Sequence, residues 1–562
     1  MPQEWTRREA MKLGAASLAA LSLPGRANAD APDIEESLVR EHDAKVKRLL
    51  ERQIVDASSP WRGSLPDEYD IHYCTAPASM LKDIAAAYYH PASLYSGDAE
   101  IVERMRLALG FLTRAQNDLG LVDLYSTNFE SAPDTGFVVH GVASAAKLAQ
   151  LHADDAVLDL YGDFLQRAGA GLCVGGIHTP NHRWVVSAAL AQIHDLFPDP
   201  AYLARIEQWL GEGIDIDAEG QYTERSSGGY NVVVNNALVT TAHKLDRPEL
   251  LDAVRKNLDA MVYLLHPNGE VVTEISSRQD LNTRATMAGY WFVLRYLAVR
   301  DQNGLYASML APLEPANRAL PALMEYPELL GALPAPAPIP DDYERALPLA
   351  GITRIRRGAR STTILHTGNS RWITMRNGGA VVNDVRFASA FFGKGQFVPR
   401  YFERTDDGFV FTQQLQGRYL QPITDPDLLP VTPENWSRLV LKREQTQICT
   451  MDYEARIRET PEGFEFDISA AGTDKVPLAV EINLREGGEL AGVIPAPRVG
   501  DAFLLPSGMA EYTLGSDRIG FGPGKTEHAW VQLRGAEGKL SGPSVYITGY
   551  TPFRHTLRFE LG

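Results

Sequence analysis

The spacing of apolar residues changes once along this chain, and the change divides it into a helical half and a sheet half. From about residue 34 to residue 330, apolar positions recur every three or four residues, as in Val138, Val142, Ala145 and Ala149, or Val185, Ala189, Ile193 and Leu196. That period lines one face of an α-helix. The breaks between such runs are short and carry stop and start signals: Phe197-Pro198-Asp199-Pro200, Asp246-Arg247-Pro248-Glu249 and His266-Pro267-Asn268-Gly269. Roughly ten to twelve helices fit, and connections this short favour antiparallel helix pairs. The tract 333–342, Leu-Pro-Ala-Pro-Ala-Pro-Ile-Pro-Asp-Asp, reads as an extended, semi-rigid boundary. Beyond it the period becomes two, in runs such as Arg371-Trp372-Ile373-Thr374-Met375, Phe464-Glu465-Phe466-Asp467-Ile468 and His555-Thr556-Leu557-Arg558-Phe559. The expected organisation is a helical domain over 30–332, a linker over 333–350 and an antiparallel β-sandwich over 351–562. At 562 residues the chain exceeds what one core holds, so more than one domain is required. No short solenoid repeat is present.

Thr6-Arg7-Arg8-Glu9-Ala10-Met11-Lys12-Leu13, an apolar run over 14–23 and Ala27-Asn28-Ala29 together read as a twin-arginine signal over 1–29. The apolar run is too short to span a bilayer, and no later stretch is uniformly apolar. The expectation is a soluble protein exported to the periplasm or beyond, without membrane insertion. Cys74, Cys173 and Cys449 are odd in number and far apart, which argues against a disulfide framework and gives no metal-ligand spacing, and they are expected as buried thiols. With 54 basic and 71 acidic residues the formal charge is −17, the wrong sign for a nucleic-acid binder. An acidic protein with an acidic ligand must place its few cations locally, so arginines near a cleft carry weight.

Three polar segments precede helical runs. Thr179-Pro180-Asn181-His182-Arg183-Trp184 sits where a helix begins. Asn181 there is either a plain helix cap or, beside His182, half of a donor pair at a helix N-terminus suited to a carboxylate. Glu219-Gly220-Gln221-Tyr222-Thr223-Glu224-Arg225-Ser226-Ser227-Gly228-Gly229-Tyr230 leads into another helix. Tyr230 is either core or a phenol that takes and returns a proton, which requires donors or cations nearby because a phenol ionises near pH 10 in water. Ser276-Ser277-Arg278-Gln279-Asp280-Leu281-Asn282-Thr283-Arg284 offers Arg278, and then Arg284, as fixed positive charge. Tyr222, Glu224 and the 125–140 loop with Asn128 and His140 are candidate substrate contacts. In the sheet half Arg400 and Tyr401 join them, while Arg386, Lys394, His366 and His528 have no diagnostic spacing. No metal-ligand spacing and no phosphate loop appears, so no metal or cofactor is implied.

On these residues the layout resembles the heparinase II/III-like and alginate-lyase-like polysaccharide lyases, which join an incomplete (α/α) toroid to a C-terminal antiparallel β-sandwich. The resemblance covers nearly the whole chain after residue 29. It implies that Asn181 and His182 neutralise a uronate, that Tyr230 is the acid or base, and that the substrate is an acidic polysaccharide or oligosaccharide. An exo-acting lyase for a glucuronate-containing side chain is compatible with it. Where many relatives carry a Gly-His-Gly-His-Ala-Asp type segment, this chain reads Asn377-Gly378-Gly379-Ala380-Val381-Val382-Asn383-Asp384, leaving a sheet-domain histidine and a structural zinc without a matching segment. Two other readings stand beside it. A glycoside hydrolase on the same toroid would use carboxyl groups such as Glu224, Asp134 and Asp280. A carbohydrate-binding protein without catalysis would use platforms such as Trp184 and Trp209.

Overall fold

The computed structural model describes residues 34–314 and 319–562; the expected export signal over 1–29 lies outside them. The chain forms two compact units, one running to Leu265 and again over Gly269–Ile339, the other taking His266–Asn268 and Pro340–Gly562.

The first unit holds helices α1 (Ile34–Arg52), α2 (Thr75–Tyr89), α3 (Ala99–Ala115), α4 (Ala132–Leu151), α5 (Asp155–Val174), α6 (Asn181–Leu196), α7 (Pro200–Leu210), α8 (Tyr230–Leu245), α9 (Leu251–Leu264), α10 (Trp291–Arg300), α11 (Gly304–Leu310) and α12 (Leu320–Glu325). The even-numbered helices α2, α4, α6 and α8 pack side by side in succession, and α3, α5, α7 and α9 alternate with them as a second layer. Composition assigns the layers. Helices α4 and α6 are buried around nearly their whole circumference, whereas α7 buries only Tyr202 and Ile206. A helix apolar on every side must sit inside, and one with a single apolar stripe lies outside. Small residues permit the inner contacts: a Cβ at Gly141 would lie 2.3 Å from the Ala78 carbonyl oxygen, so glycine is what lets α4 approach α2. The side chains of Asp98, Ser131, Asp154 and Asp199 cap α3, α4, α5 and α7 by accepting from first-turn N–H groups. This alternation of inner and outer helices is the (α/α) toroid pattern.

The second unit is two sheets, of ten and eight strands. The ten-stranded sheet contains the meander Asp342–Leu347, Ile352–Arg357, Arg360–Leu365, Ile373–Asn377 and Ala380–Ser389, followed by Pro477–Leu484 and Ser544–Tyr550. The sheet therefore begins inside the span expected to be linker. A turn in which Gly351 N–H donates to Pro348 O returns Asp342–Leu347 antiparallel onto Ile352–Arg357. Pairing among the described strands is antiparallel except along Ser544–Tyr550, which takes Ala502–Leu504 and a single bridge from Thr526 in parallel. Inward residues of both sheets form one core: Ile355, Ile364, Met375, Val382 and Phe387 from the first, Phe411, Met451, Ile457, Phe466 and Leu557 from the second. Trp372 lies fully buried among Phe387, Phe397, Phe411 and Phe466. His266 belongs with this unit. Its Nδ1 pairs with Ser361 Oγ at 3.0 Å, and burial together with Arg376, Arg354, Arg485 and Arg356 holds the ring well below the usual histidine range.

Candidate active site

Two loops of the helical unit are fastened together beside the starts of α6 and α8. Asp280 fastens them: its carboxylate accepts from Ser226 Oγ at 2.9 Å, from Gly228 N–H at 3.1 Å and from Ser276 Oγ. Ser226 Oγ in turn accepts from Tyr230 N–H at 2.8 Å, which fixes the first residue of α8. Beneath this runs a buried amide ladder. Tyr222 Oη donates to Asn235 Oδ1, Asn235 Nδ2 to Asn257 Oδ1, and Asn257 Nδ2 to Gly220 O, each at 2.8 Å. Asp215 holds the start of α6 from the other side, accepting from Arg183 at 2.6 Å and Trp184 Nε1 at 3.1 Å.

These supports bring four side chains into a chain of contacts. Asn181 Nδ2 donates to Glu224 Oε2 at 2.7 Å, Glu224 Oε1 lies 3.2 Å from Arg278 Nε, and the Arg278 guanidinium stacks 4.5 Å from the centre of the Tyr230 ring. Tyr230 and Arg278 are half-buried, whereas Asn181, His182 and Glu224 are buried. His182 follows Asn181 on α6, with its ring edge-on to His178 at 4.6 Å and to Phe137 at 6.4 Å. Burial first, then His178 and Arg278, lower the His182 pKa to about 4, so the ring is neutral at pH 7. Burial raises the Glu224 carboxyl above the usual range against the pull of Asn181 and Arg278. Several polar atoms here are buried without a hydrogen-bond partner: Asn181 Oδ1, His182 Nδ1 and Ser227 Oγ among them. Polar atoms left without a partner are costly in a dry core.

The structure thus joins Asn181, His182, Tyr230 and Arg278 in one place, with Glu224 at the junction. Asn181 does not cap α6; Pro180 holds the cap position without a side-chain bond, and the amide is turned aside to Glu224. Tyr222 is no surface contact. It is 2% exposed and spends its hydroxyl on the amide ladder, because the residue falls on the inner side of the loop. Arg284 is exposed and paired with Glu270 at 3.1 Å. Asn128, opening the short strand Asn128–Ser131 that leads into α4, donates to Asp134 at 2.7 Å, and His140 pairs with Gln192 between α4 and α6. Arg400 and Tyr401 lie exposed in the sheet unit, Tyr401 opening an edge strand. Trp184 is buried and Trp209 is covered by Arg205 stacked at 4.5 Å, so neither is an open platform. Cys74 is buried as expected, but Cys173 and Cys449 are only partly so. Sequence reasoning missed His178, for which the spacing of four to His182 was the available signal; Phe137 fell within the 125–140 loop offered as a substrate contact but was not singled out. Among the described residues no group of three or more His, Cys, Asp or Glu side chains is arranged to hold a metal, and no helix is long and apolar enough to cross a membrane.

No protein-family model matches the sequence, and no curated protein is recognisably related to it. Solved structures do match the fold. The xanthan lyase of Paenibacillus superposes with a TM-score of 0.55 at 11% identity, over 95% of this chain and 58% of that one. The chondroitin AC lyase of Streptomyces coelicolor A3, solved with chondroitin sulphate, gives 0.53 at 15% identity, over 96% of this chain and 78% of that one. A chondroitinase AC solved with oligosaccharides gives 0.51 at 9% identity, over 94% and 82%. This chain therefore has the fold of polysaccharide lyases that couple an (α/α) toroid to β-sheets, and spans under two thirds of the xanthan lyase's length.

Proposed function

We propose that this protein is a polysaccharide lyase that cleaves a 4-linked uronic acid in a glycan by β-elimination. The observation that carries the reading is the contact chain Asn181–Glu224–Arg278–Tyr230 beside a neutral His182, in a fold shared with such lyases. Arg278 and the Asn181 amide receive the sugar carboxylate and lower the cost of the negative charge that develops next to it. Tyr230, or the neutral His182, removes the proton on C5. The C5–H electrons become the C4–C5 double bond, the C4–O4 bond breaks, and O4 leaves with a proton delivered by the Tyr230 hydroxyl. A hydrolase reading has less support, since the carboxyls it would use are engaged: Asp280 with three donors, Asp134 with Asn128 and Ser131, Glu224 with Asn181 and Arg278.

The test is a screen of alginate, glycosaminoglycans and glucuronate-bearing gums for new ultraviolet absorbance from the unsaturated product. Tyr230→Phe should lower turnover on the responsive polymer roughly a hundred- to ten-thousand-fold while the fold is kept. Reducing ends released without absorbance would mean hydrolysis, and a Tyr230→Phe variant with near-normal turnover would remove the tyrosine from the chemistry. Export through the twin-arginine route belongs to the same proposal; replacing Arg7 and Arg8 by lysine should leave the protein in the cytoplasmic fraction.

A further inference from the structure

Glu224 puts a negative charge where the function proposed above calls for a positive one. Its side chain is 7% exposed, and it shares Arg278 with whatever anion binds there. The Asn181 amide is also turned the wrong way for an anion. One Nδ2 hydrogen goes to Glu224 at 2.7 Å and the other to Thr179 Oγ1 at 3.1 Å, while Oδ1 is buried with no partner. A carboxylate arriving at this group would meet a carbonyl oxygen and a second carboxylate, and a like charge brought this close to a buried carboxyl favours its neutral form.

We propose that Glu224 takes up one proton as the uronate binds, and that this proton reverses the Asn181 amide. Neutral Glu224 donates its O–H to Asn181 Oδ1; the Nδ2 hydrogens then face the sugar carboxylate, and Arg278 exchanges Glu224 for the substrate. The proton comes from solvent, and no covalent bond to carbon changes. The inference rests on the carboxylate-binding role given to this site above. The charged groups facing Glu224 are Arg278 from the 273–284 loop and Asp215, itself paired with Arg183 of α6 at 2.6 Å. Burial is the largest influence on the carboxyl and favours its neutral form, as does Asp215. Once Arg278 turns to the substrate, the strongest opposing charge is gone. Glu224 is thus a positioning residue: it acts through Asn181 and Arg278.

Methyl β-D-glucuronide is the probe, since it carries the uronate but no glycan on O4 to be expelled. Its binding is measured calorimetrically between about pH 6 and about pH 8, in buffers of different ionisation enthalpy. The wild type should take up close to one proton per site at the upper end, with Kd rising by up to about tenfold per pH unit. Glu224→Gln should show no uptake and a flat Kd, because a glutamine amide donates to Asn181 Oδ1 without a proton. Glu224→Ala, lacking that donor, should bind more weakly at every pH. Binding without uptake in the wild type, or equal uptake in Glu224→Gln, overturns the proposal and leaves the carboxylate-binding role intact. No binding to the wild type overturns both. If the variants do not fold, isotope-edited infrared spectra of the wild type decide: a protonated glutamic-acid carbonyl band must appear on adding the probe, and its absence refutes the switch.

Discussion

Two histidines that the sequence offered in different roles, His182 beside Asn181 as a carboxylate-neutralising group and His140 as a substrate contact, have the same shifted acidity and different surroundings. Burial lowers both to about 4 from an ordinary 6.5. His140 pairs with Gln192 between two inner helices, whereas His182 has an unpartnered ring nitrogen beside Asn181 and His178. For either ring the folded protein refuses a proton that the unfolded chain accepts once the pH falls below about 6.5. The stability each contributes is fully present above that pH and is lost as the pH drops toward about 4. His140→Gln should therefore reduce the acid dependence of stability by up to about one proton over that window, read from urea midpoints across a pH series. An unchanged slope would mean that His140 titrates normally. What distinguishes the rings, a free nitrogen against a satisfied one, comes from residues fifty positions away and has no trace in local sequence.

At the scale of elements, most helix boundaries were legible because their signals are local. Asp199 and Pro200 are the cap and first residue of α7, as the Pro-Asp-Pro break indicated. The start of α6 was legible only in position. An asparagine at a helix N-terminus is read as a cap, yet here proline supplies the helical φ and the amide is freed to meet Glu224, 43 residues on. The same holds for the loops. Their glycine and serine content marked them as loops, but that Asp280 fastens one to the other needs the third dimension. Asp280→Ala would leave the Ser226 and Ser276 hydroxyl hydrogens and the Gly228 N–H without their acceptor. The expected cost is about 2–4 kcal/mol of stability, since Asp280, Ser226 and Ser276 are all buried. Because the lost bonds fix Tyr230 and Arg278 rather than the core, turnover should fall by a larger factor than denaturant unfolding alone explains. Comparing denaturant midpoints with rates on the responsive polymer separates the two effects, and a loss of stability without a loss of rate would contradict the fastening role.

For the molecule as a whole, the switch of hydrophobic period was sufficient to separate two architectures, because helices and strands impose different spacings on any residue that must face a core. The join was harder to place. Prolines mark where regular structure is disfavoured, but Asp342–Leu347 carries little apolar signal and becomes a strand only because Ile352–Arg357 offers it an edge. His266–Asn268 reads as a helix stop and yet clusters with the sheets. The apolar clusters follow the same division: one is drawn wholly from helical-unit residues such as Val46, Leu81, Val139 and Leu190, another wholly from the sheets around Trp372. Trp372 is fully buried and ringed by four phenylalanines, just ahead of the strand Ile373–Asn377. Trp372→Ala should cost about 3–5 kcal/mol from lost burial and the cavity left behind. The loss should show as faster amide exchange along Ala380–Ser389, Gly408–Leu420 and Gly463–Gly472, the strands that carry Phe387, Phe411 and Phe466 against the indole. Exchange that quickened in α4 and α6 but not in those strands would place the stabilising role of Trp372 elsewhere.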